Sequence, residues 1–188
     1  MCRFLTGNAR AQQIDRKRMW KLLDNVVYKA DNGKLHLAPR NMYTDFYTIP
    51  GFVAPIAGSP VDYDTRCCVV HDQVCYSHAA LMINLTEKEL RDRGYLRFSE
   101  KNNMWVCEDV PAEFLYTEKR SKFAANNLLY ECMKACNVPL WDRLKIRLGV
   151  VFNVGWWIDL LTNKVFELDL NRVYEENFWR ENVPIRYQ

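Results

Sequence analysis

The stretch that most constrains this chain runs from residue 62 to residue 82, Asp-Tyr-Asp-Thr-Arg-Cys-Cys-Val-Val-His-Asp-Gln-Val-Cys-Tyr-Ser-His-Ala-Ala-Leu-Met. It reads as a helix opened by Asp62 or Asp64, because a short acidic side chain accepts hydrogen bonds from the free amides of a first turn. At helical spacing Asp64, Cys68, His71, Cys75 and His78 share one stripe, in steps of four, three, four and three. Val70, Val74, Leu81 and Met82 supply apolar positions beside it. A stripe that mixes packing residues with two histidines, two cysteines and a flanking Asp72 is unusual for a plain core helix, and it marks a candidate site.

The rest of the composition sets the frame for that helix. With 188 residues, 49% of them hydrophobic, the chain is read as a single domain over 1–188 with a substantial core. A formal charge of +3, from 26 basic and 23 acidic residues, is too balanced to point to a specific nucleic acid partner. The short basic runs Arg16-Lys17-Arg18 and Lys119-Arg120 with Lys122 read as solvated surface. Seven cysteines form an odd set, and no long apolar core follows Arg3 to make a signal segment. Reduced thiols in the cytoplasm of the producing cell are therefore expected. The most apolar stretch, Leu148 to Leu161, is interrupted by Asn153 and Asp159 and fits a buried helix better than a membrane span.

Before the key helix, residues 1–18 are polar and basic without a clear period, as an arm or a first irregular segment. Trp20 to Tyr28 and Lys34 to Ala38 flank Asp31-Asn32-Gly33, a hairpin signal because Asn and Gly tolerate positive φ. His36 falls in the polar register of the second strand and is expected to be exposed. Pro50 ends any regular element, and 50–61 reads as a Pro/Gly loop leading into the helix. After it, Thr86-Glu87-Lys88-Glu89 has capping-box spacing for a short helix to about residue 92, ended by Gly94. Tyr95 to Phe98 and Met104 to Cys107 form a second hairpin, an insertion over 94–108.

Ser121 to Cys136 reads as the second long helix, stopped by Asn137 and Pro139, and Leu140 to about Trp157 as the third. The extension 162–188 holds a short strand at Lys164 to Leu168 and a short helix around Tyr174 to Trp179. Its aromatic residues are positioned to dock on the body or on another subunit. The fold class is α+β, a small antiparallel hairpin layer packed on about three main helices.

Three pieces of sequence occur in an order that resembles a known family. Thr44-Asp45-Phe46-Tyr47-Thr48-Ile49-Pro50 resembles a Thr-Asp-x-x-Ser-[Ile/Val]-Pro motif. His71-Asp72 resembles a His-Asp pair on the following helix. Ala125 to Met133 followed by Asn137-Val138-Pro139 resembles an Ala-Asp-x-x-Phe-x-x-x-Met helix that ends in Gly-Val-Pro. Together they resemble a domain-of-unknown-function family of small proteins common in tailed-phage genomes and prophages, over roughly residues 20 to 155. The chain departs from that pattern at Asn126, where the family has Asp, at Thr48, where Ser is usual, and at Cys75, where an aromatic usually follows His-Asp. A narrower likeness is to the catalytic helix of secreted calcium-dependent phospholipases, carried by Cys67-Cys68-Val69-Val70-His71-Asp72. In that family the His activates water, the Asp binds calcium and a second helix supplies an Asp that orients the His. Here that last position would be Asn126 or Asn127.

The chemistry of these residues leaves three readings open. His71 can act as a general base if a carboxylate from Asp45, Asp64 or Asp72 holds its other ring nitrogen. Asp45 is the favoured orienter, because Asp72 follows His71 directly and should point about a hundred degrees away around the helix, toward a cation or another helix. A Cys68–His71 thiol–imidazole pair is the second reading. Zinc on Cys68, His71, Cys75 and His78 is the third, although one straight helix offers only about two neighbouring positions to a metal.

The functional expectation is a phage or prophage protein with a hydrolase-like site acting on a lipid or another cell-envelope ester or amide. In it His71 is the base, Asp45 the orienter, Asn126 the second-helix partner and Asp72 the ligand of a divalent cation such as calcium. The alternative is a non-catalytic virion component of the head, neck or tail. There the same residues hold the fold, and the aromatic tail binds other virion proteins or a second copy. Either protein would be made in the host cytoplasm, and the second would be incorporated in the virion.

Overall fold

The computed structural model describes residues 2–14, 19–44, 64–151 and 166–182. Six short strands precede the key helix: β1 (Arg3–Phe4), β2 (Ala11–Gln13), β3 (Trp20–Leu22), β4 (Val26–Lys29), β5 (Leu35–Ala38) and β6 (Tyr43–Thr44). Helix α1 (Thr65–Ser77) runs directly into β7 (Ala79–Ile83). Then come α2 (Glu87–Asp92), β8 (Leu96–Ser99), β9 (Met104–Cys107) and β10 (Leu115–Lys119). Three helices close the described chain: α3 (Lys122–Ala135), α4 (Leu140–Val151) and α5 (Glu176–Asn182). The fold is α+β.

The strands form a five-stranded sheet in the order β1-β4-β5-β7-β10, a three-stranded sheet β2-β3-β6 and the hairpin β8-β9. Every pairing in the large sheet is antiparallel. The β4-β5 hairpin turns where the sequence places it. Gly33 adopts a φ of +82°, and the Asn32 side chain accepts a hydrogen bond from the Lys34 amide at 3.0 Å. Helix α1 crosses the sheet against β4, β5 and β7, and α3 packs on its other side. That sandwich leaves α1 buried almost all round, so its polar side chains must find partners inside the protein.

The expected helix ends five residues early. Ser77 is its last residue, His78 turns left-handed with φ 49°, and Ala79–Ile83 continues as an inner strand of the sheet. The continuous run Ala-Ala-Leu-Met-Ile suits a strand covered on both faces. Gln73 fixes the reversal: it donates to the Ala79 carbonyl at 3.1 Å and accepts from the Leu81 amide at 3.0 Å. His78 therefore leaves the stripe that the sequence assigned it.

Other expectations also shift. Parts of the N-terminal segment are paired, Arg3–Phe4 with β4 and Ala11–Gln13 with β3, while 15–18 lie outside the described residues. His36 is buried rather than exposed, since its neighbours in the adjoining cavity, Val74 and Leu128, come from α1 and α3. The short strand expected at Lys164 to Leu168 has no regular structure over 166–168, and Lys164 and Val165 lie outside the described residues. Phe166 instead packs edge-on against Phe178 and Trp179. The capping box at Thr86 and Glu89, the β8-β9 hairpin and the Ser121 cap of α3 form as the spacing implies. Among the described residues no helix is long and apolar enough to cross a membrane.

Candidate functional site

Helix α1 starts at Asp64, whose carboxylate accepts the Arg66 amide at 3.1 Å and also grips the Arg66 guanidinium. Burial works against the charged Asp64 carboxylate, but the Arg66 guanidinium outweighs it and holds its pKa below the usual carboxylate range. Two turns further on, His71 is 1% exposed and Asp72 2%. Asn126 is 4% exposed and comes from the facing helix α3, while the fully enclosed Thr44 ends β6.

These side chains form one connected cluster. The His71 Nδ1 lies 3.3 Å from Asp72 Oδ1, and its Nε2 lies 3.0 Å from Asn126 Oδ1. The half-buried Cys75, one turn after His71, places its Sγ 3.3 Å from Nε2. Thr44 Oγ1 donates to the second carboxylate oxygen of Asp72 at 2.6 Å. Both ring nitrogens thus face oxygen acceptors, which suits the doubly protonated imidazolium. Burial alone would push the His71 pKa down. The charge of the adjacent Cys75 sulfur and the Asp72 carboxylate reverse that and raise it well above the usual histidine range.

The structure changes the role of several residues named from the sequence. Asp72 was expected to point away from His71, yet its carboxylate touches the ring. The helix separates their Cβ bonds by about a hundred degrees on a narrow cylinder, so a long imidazole and a short carboxylate can still bend together. The thiol found against the ring is that of Cys75, the i+4 neighbour, where the sequence reading paired His71 with Cys68. Asp45 lies outside the described residues. Its neighbour Thr44 is described and reaches the site through Asp72. Asn126 stands across from His71 as the second-helix partner, and its amide nitrogen is buried without a hydrogen-bond partner among the described residues.

The metal readings fit these residues poorly. Among the described residues no group of three or more His, Cys, Asp and Glu side chains is arranged to hold a metal ion. One oxygen of Asp72 accepts from Thr44 and the other faces His71. A hard cation such as calcium needs six to eight oxygen ligands. The four-residue zinc set is broken because His78 sits beyond the helix end in a left-handed conformation.

Two functional features escaped the sequence reading. Cys75 was on the stripe, and its i+4 spacing from His71 was the available signal. Thr44 was part of the quoted Thr-Asp motif, but its attachment to Asp72 depends on how β6 is placed against α1, which the local sequence does not encode.

Comparison with known proteins gives a family and nothing finer. The family described as "Protein of unknown function (DUF1353)" matches residues 20–150, more than half of the chain. No curated protein and no solved structure matches.

Proposed function

The chain belongs to the DUF1353 family of proteins of unknown function, and from that premise we propose that it is a thiol-dependent hydrolase of phage or prophage origin, acting on a lipid or another cell-envelope ester or amide. The observation that carries this reading is the geometry at one ring: Cys75 Sγ lies 3.3 Å from His71 Nε2 while Nδ1 faces the Asp72 carboxylate. A nucleophile, a base and a group that orients the base are the parts an acyl transfer requires.

In the proposed reaction the proton shared by Cys75 and His71 already rests on the ring, and Sγ attacks the substrate carbonyl carbon as the thiolate of that ion pair. An S–C bond forms and the C–O or C–N bond breaks. The imidazolium returns its proton to the leaving alcohol or amine. A water molecule, deprotonated by His71, then attacks the thioester, releases the acid and restores the ion pair. Asp72, held by Thr44, keeps the ring oriented and favours the charge it gains. Asn126 restrains the ring from α3. The likeness of residues 67–72 to a phospholipase helix supports an acyl ester as the first substrate to try. Here the thiol stands where that family uses water.

The test is hydrolysis by purified protein of phospholipid vesicles, soluble acyl esters and cell-wall fragments. Cys75→Ala is expected to abolish turnover and Cys75→Ser to leave a small residue of it. Wild-type protein inert on the whole panel would overturn the enzyme reading. Full activity in Cys75→Ala would remove the thiol and return the nucleophile's role to water.

A second reading, a non-catalytic virion component, is favoured by two observations. His71, Asp72 and Asn126 are almost completely enclosed. On α4, Leu140, Trp141 and Leu148 are 52%, 75% and 55% exposed, an apolar face suited to other virion proteins or a second copy. Mass spectrometry of purified virions separates the readings. Stoichiometric presence supports the component, and absence supports an enzyme acting in the host.

A further inference from the structure

A pair of sulfurs lies at the other end of α1. Cys67 Sγ is 3.6 Å from Cys136 Sγ, on residues 69 positions apart in sequence. The Cys67 thiol donates to the Cys136 sulfur, and the Cys136 thiol donates to Asp64 Oδ2 at 3.1 Å. The result is a short relay that ends on a carboxylate gripped by Arg66. Arg66 is also within electrostatic range of both sulfurs. We infer that Cys67 and Cys136 are an oxidisable dithiol that peroxide converts into a disulfide joining the start of α1 to the end of α3.

Access sets the order of events. Cys67 is 2% exposed, whereas Cys136 is half-buried at the C-terminal cap of α3. An oxidant arriving from solvent meets Cys136 first. The next residue, Asn137, turns left-handed with φ 57° and ends the helix, so Cys136 sits on a terminal turn, not in a rigid helix centre. Cys132, one turn earlier on α3, is fully enclosed and does not compete for the oxidant.

The chemistry balances with hydrogen peroxide as the oxidant. The Cys136 sulfur attacks one peroxide oxygen and gives up its proton. An S–O bond forms, the O–O bond breaks, and the departing hydroxide takes up that proton to leave as water. The sulfur is oxidised to a sulfenic acid and the peroxide is reduced. Cys67 then attacks the sulfenic sulfur. The S–S bond forms, the S–O bond breaks, and the leaving hydroxide takes the Cys67 proton, giving a second water. The Cys67 S–H already points at its target. That hydrogen bond, together with burial, keeps the Cys67 thiol protonated and unreactive until the sulfenic acid forms beside it.

The disulfide would join α1 and α3, the helices that carry His71 and Asn126, and would stabilise their packing. In the resting protein Cys67 and Cys136 are both thiols, so the pair is reduced until an oxidant reaches it. The inference stands apart from the acyl-transfer reading, since neither sulfur belongs to the His71 cluster.

The experiment treats the folded full chain with a few equivalents of hydrogen peroxide, followed by denaturation, thiol counting and a non-reducing peptide map. The expected result is a fall from seven free thiols to five, with one link between the Cys67 and Cys136 peptides that dithiothreitol reverses. In Cys67→Ser the sulfenic acid should persist at Cys136 and be captured by dimedone. Oxidation of Cys136 to sulfinic acid without any link would overturn the inference. So would a link that formed preferentially through Cys68, Cys75 or Cys132.

Discussion

His71 and His36 are buried to nearly the same depth, 1% and 5% exposed, yet their charges are driven in opposite directions. At His71 an adjacent sulfur and a carboxylate, with an amide oxygen at the second nitrogen, hold a proton on the ring against the pull of burial. At His36 burial comes first, and Arg120 and Lys34 add to it against the weaker pull of Glu118. The pKa falls from 6.5 to about 4. His36 stacks at an angle beside Tyr28, 6.0 Å between ring centroids, and its Nδ1 has no hydrogen-bond partner among the described residues. Burial alone neutralises a histidine. A buried histidine that stays charged needs neighbours arranged for that purpose, and those neighbours distinguish a candidate site from a packed core.

The largest expected contrast comes from removing each ring. His71→Ala leaves the Asp72 carboxylate enclosed without its imidazolium. It should cost about 3–5 kcal/mol of stability, as loss of one member of a buried charged pair does. Any hydrolytic activity should fall ~10²- to 10⁴-fold as well. His36→Leu removes no hydrogen bond found among the described residues and should stay within about 1 kcal/mol of wild type. Urea denaturation of both variants checks the difference.

Acidity should separate the two histidines next. The folded His36 pKa lies below its unfolded value, so its contribution is present above pH 6.5 and is lost as pH falls from 6.5 to about 4. That shift corresponds to on the order of 3 kcal/mol, and His36→Leu should remove this part of the acid limb. The folded His71 pKa lies above its unfolded value. Its contribution is complete below pH 6.5 and fades as pH rises through the raised folded value. Unfolding free energies measured across pH should show both slopes, of opposite sign.

Thr44→Val tests the support behind the charged ring. It deletes the 2.6 Å hydrogen bond to Asp72 and should cost about 1.5–3 kcal/mol, the usual range for a bond to a charged group. Smallest in stability is Asn126→Asp, which puts a second carboxylate at Nε2. NMR titration of the three histidines should show the His71 resonance still protonated at higher pH than in wild type, with His36 and His78 unmoved. A His71 pKa that fell on this substitution would contradict the placement of Asn126 Oδ1 against the ring.

Local signals carried the elements that local chemistry controls. The Asp31-Asn32-Gly33 turn, the Thr86–Glu89 capping box and the Ser121 cap each depend on a few adjacent residues and could be read directly. The end of α1 could not. Ala79–Ile83 fits a helix or a strand by composition, and only pairing with β5 and β10 decides between them. The same distinction runs through the site. His71 and Asn126 were legible as facing positions on two helices, whereas Asp72 was expected to turn away from the ring and instead meets it. The thiol at the ring was sought at Cys68, one turn before His71, and is that of Cys75, one turn after it, and the support from Thr44 depends on a strand placed by tertiary packing.

The central claim is that Cys75 and His71 act together as nucleophile and base, and acyl trapping tests it most directly. The protein is incubated with an activated acyl ester such as p-nitrophenyl acetate, quenched in acid, and its intact mass and peptide map are recorded. The account predicts one acyl group on Cys75, formed in wild type and absent in Cys75→Ala. Its formation should be slowed ~10²-fold or more in His71→Gln, the loss expected when a general base is removed. Acylation spread over Cys2, Cys68 and Cys136 at equal rates, or acylation of Cys75 that His71→Gln leaves unchanged, would contradict it.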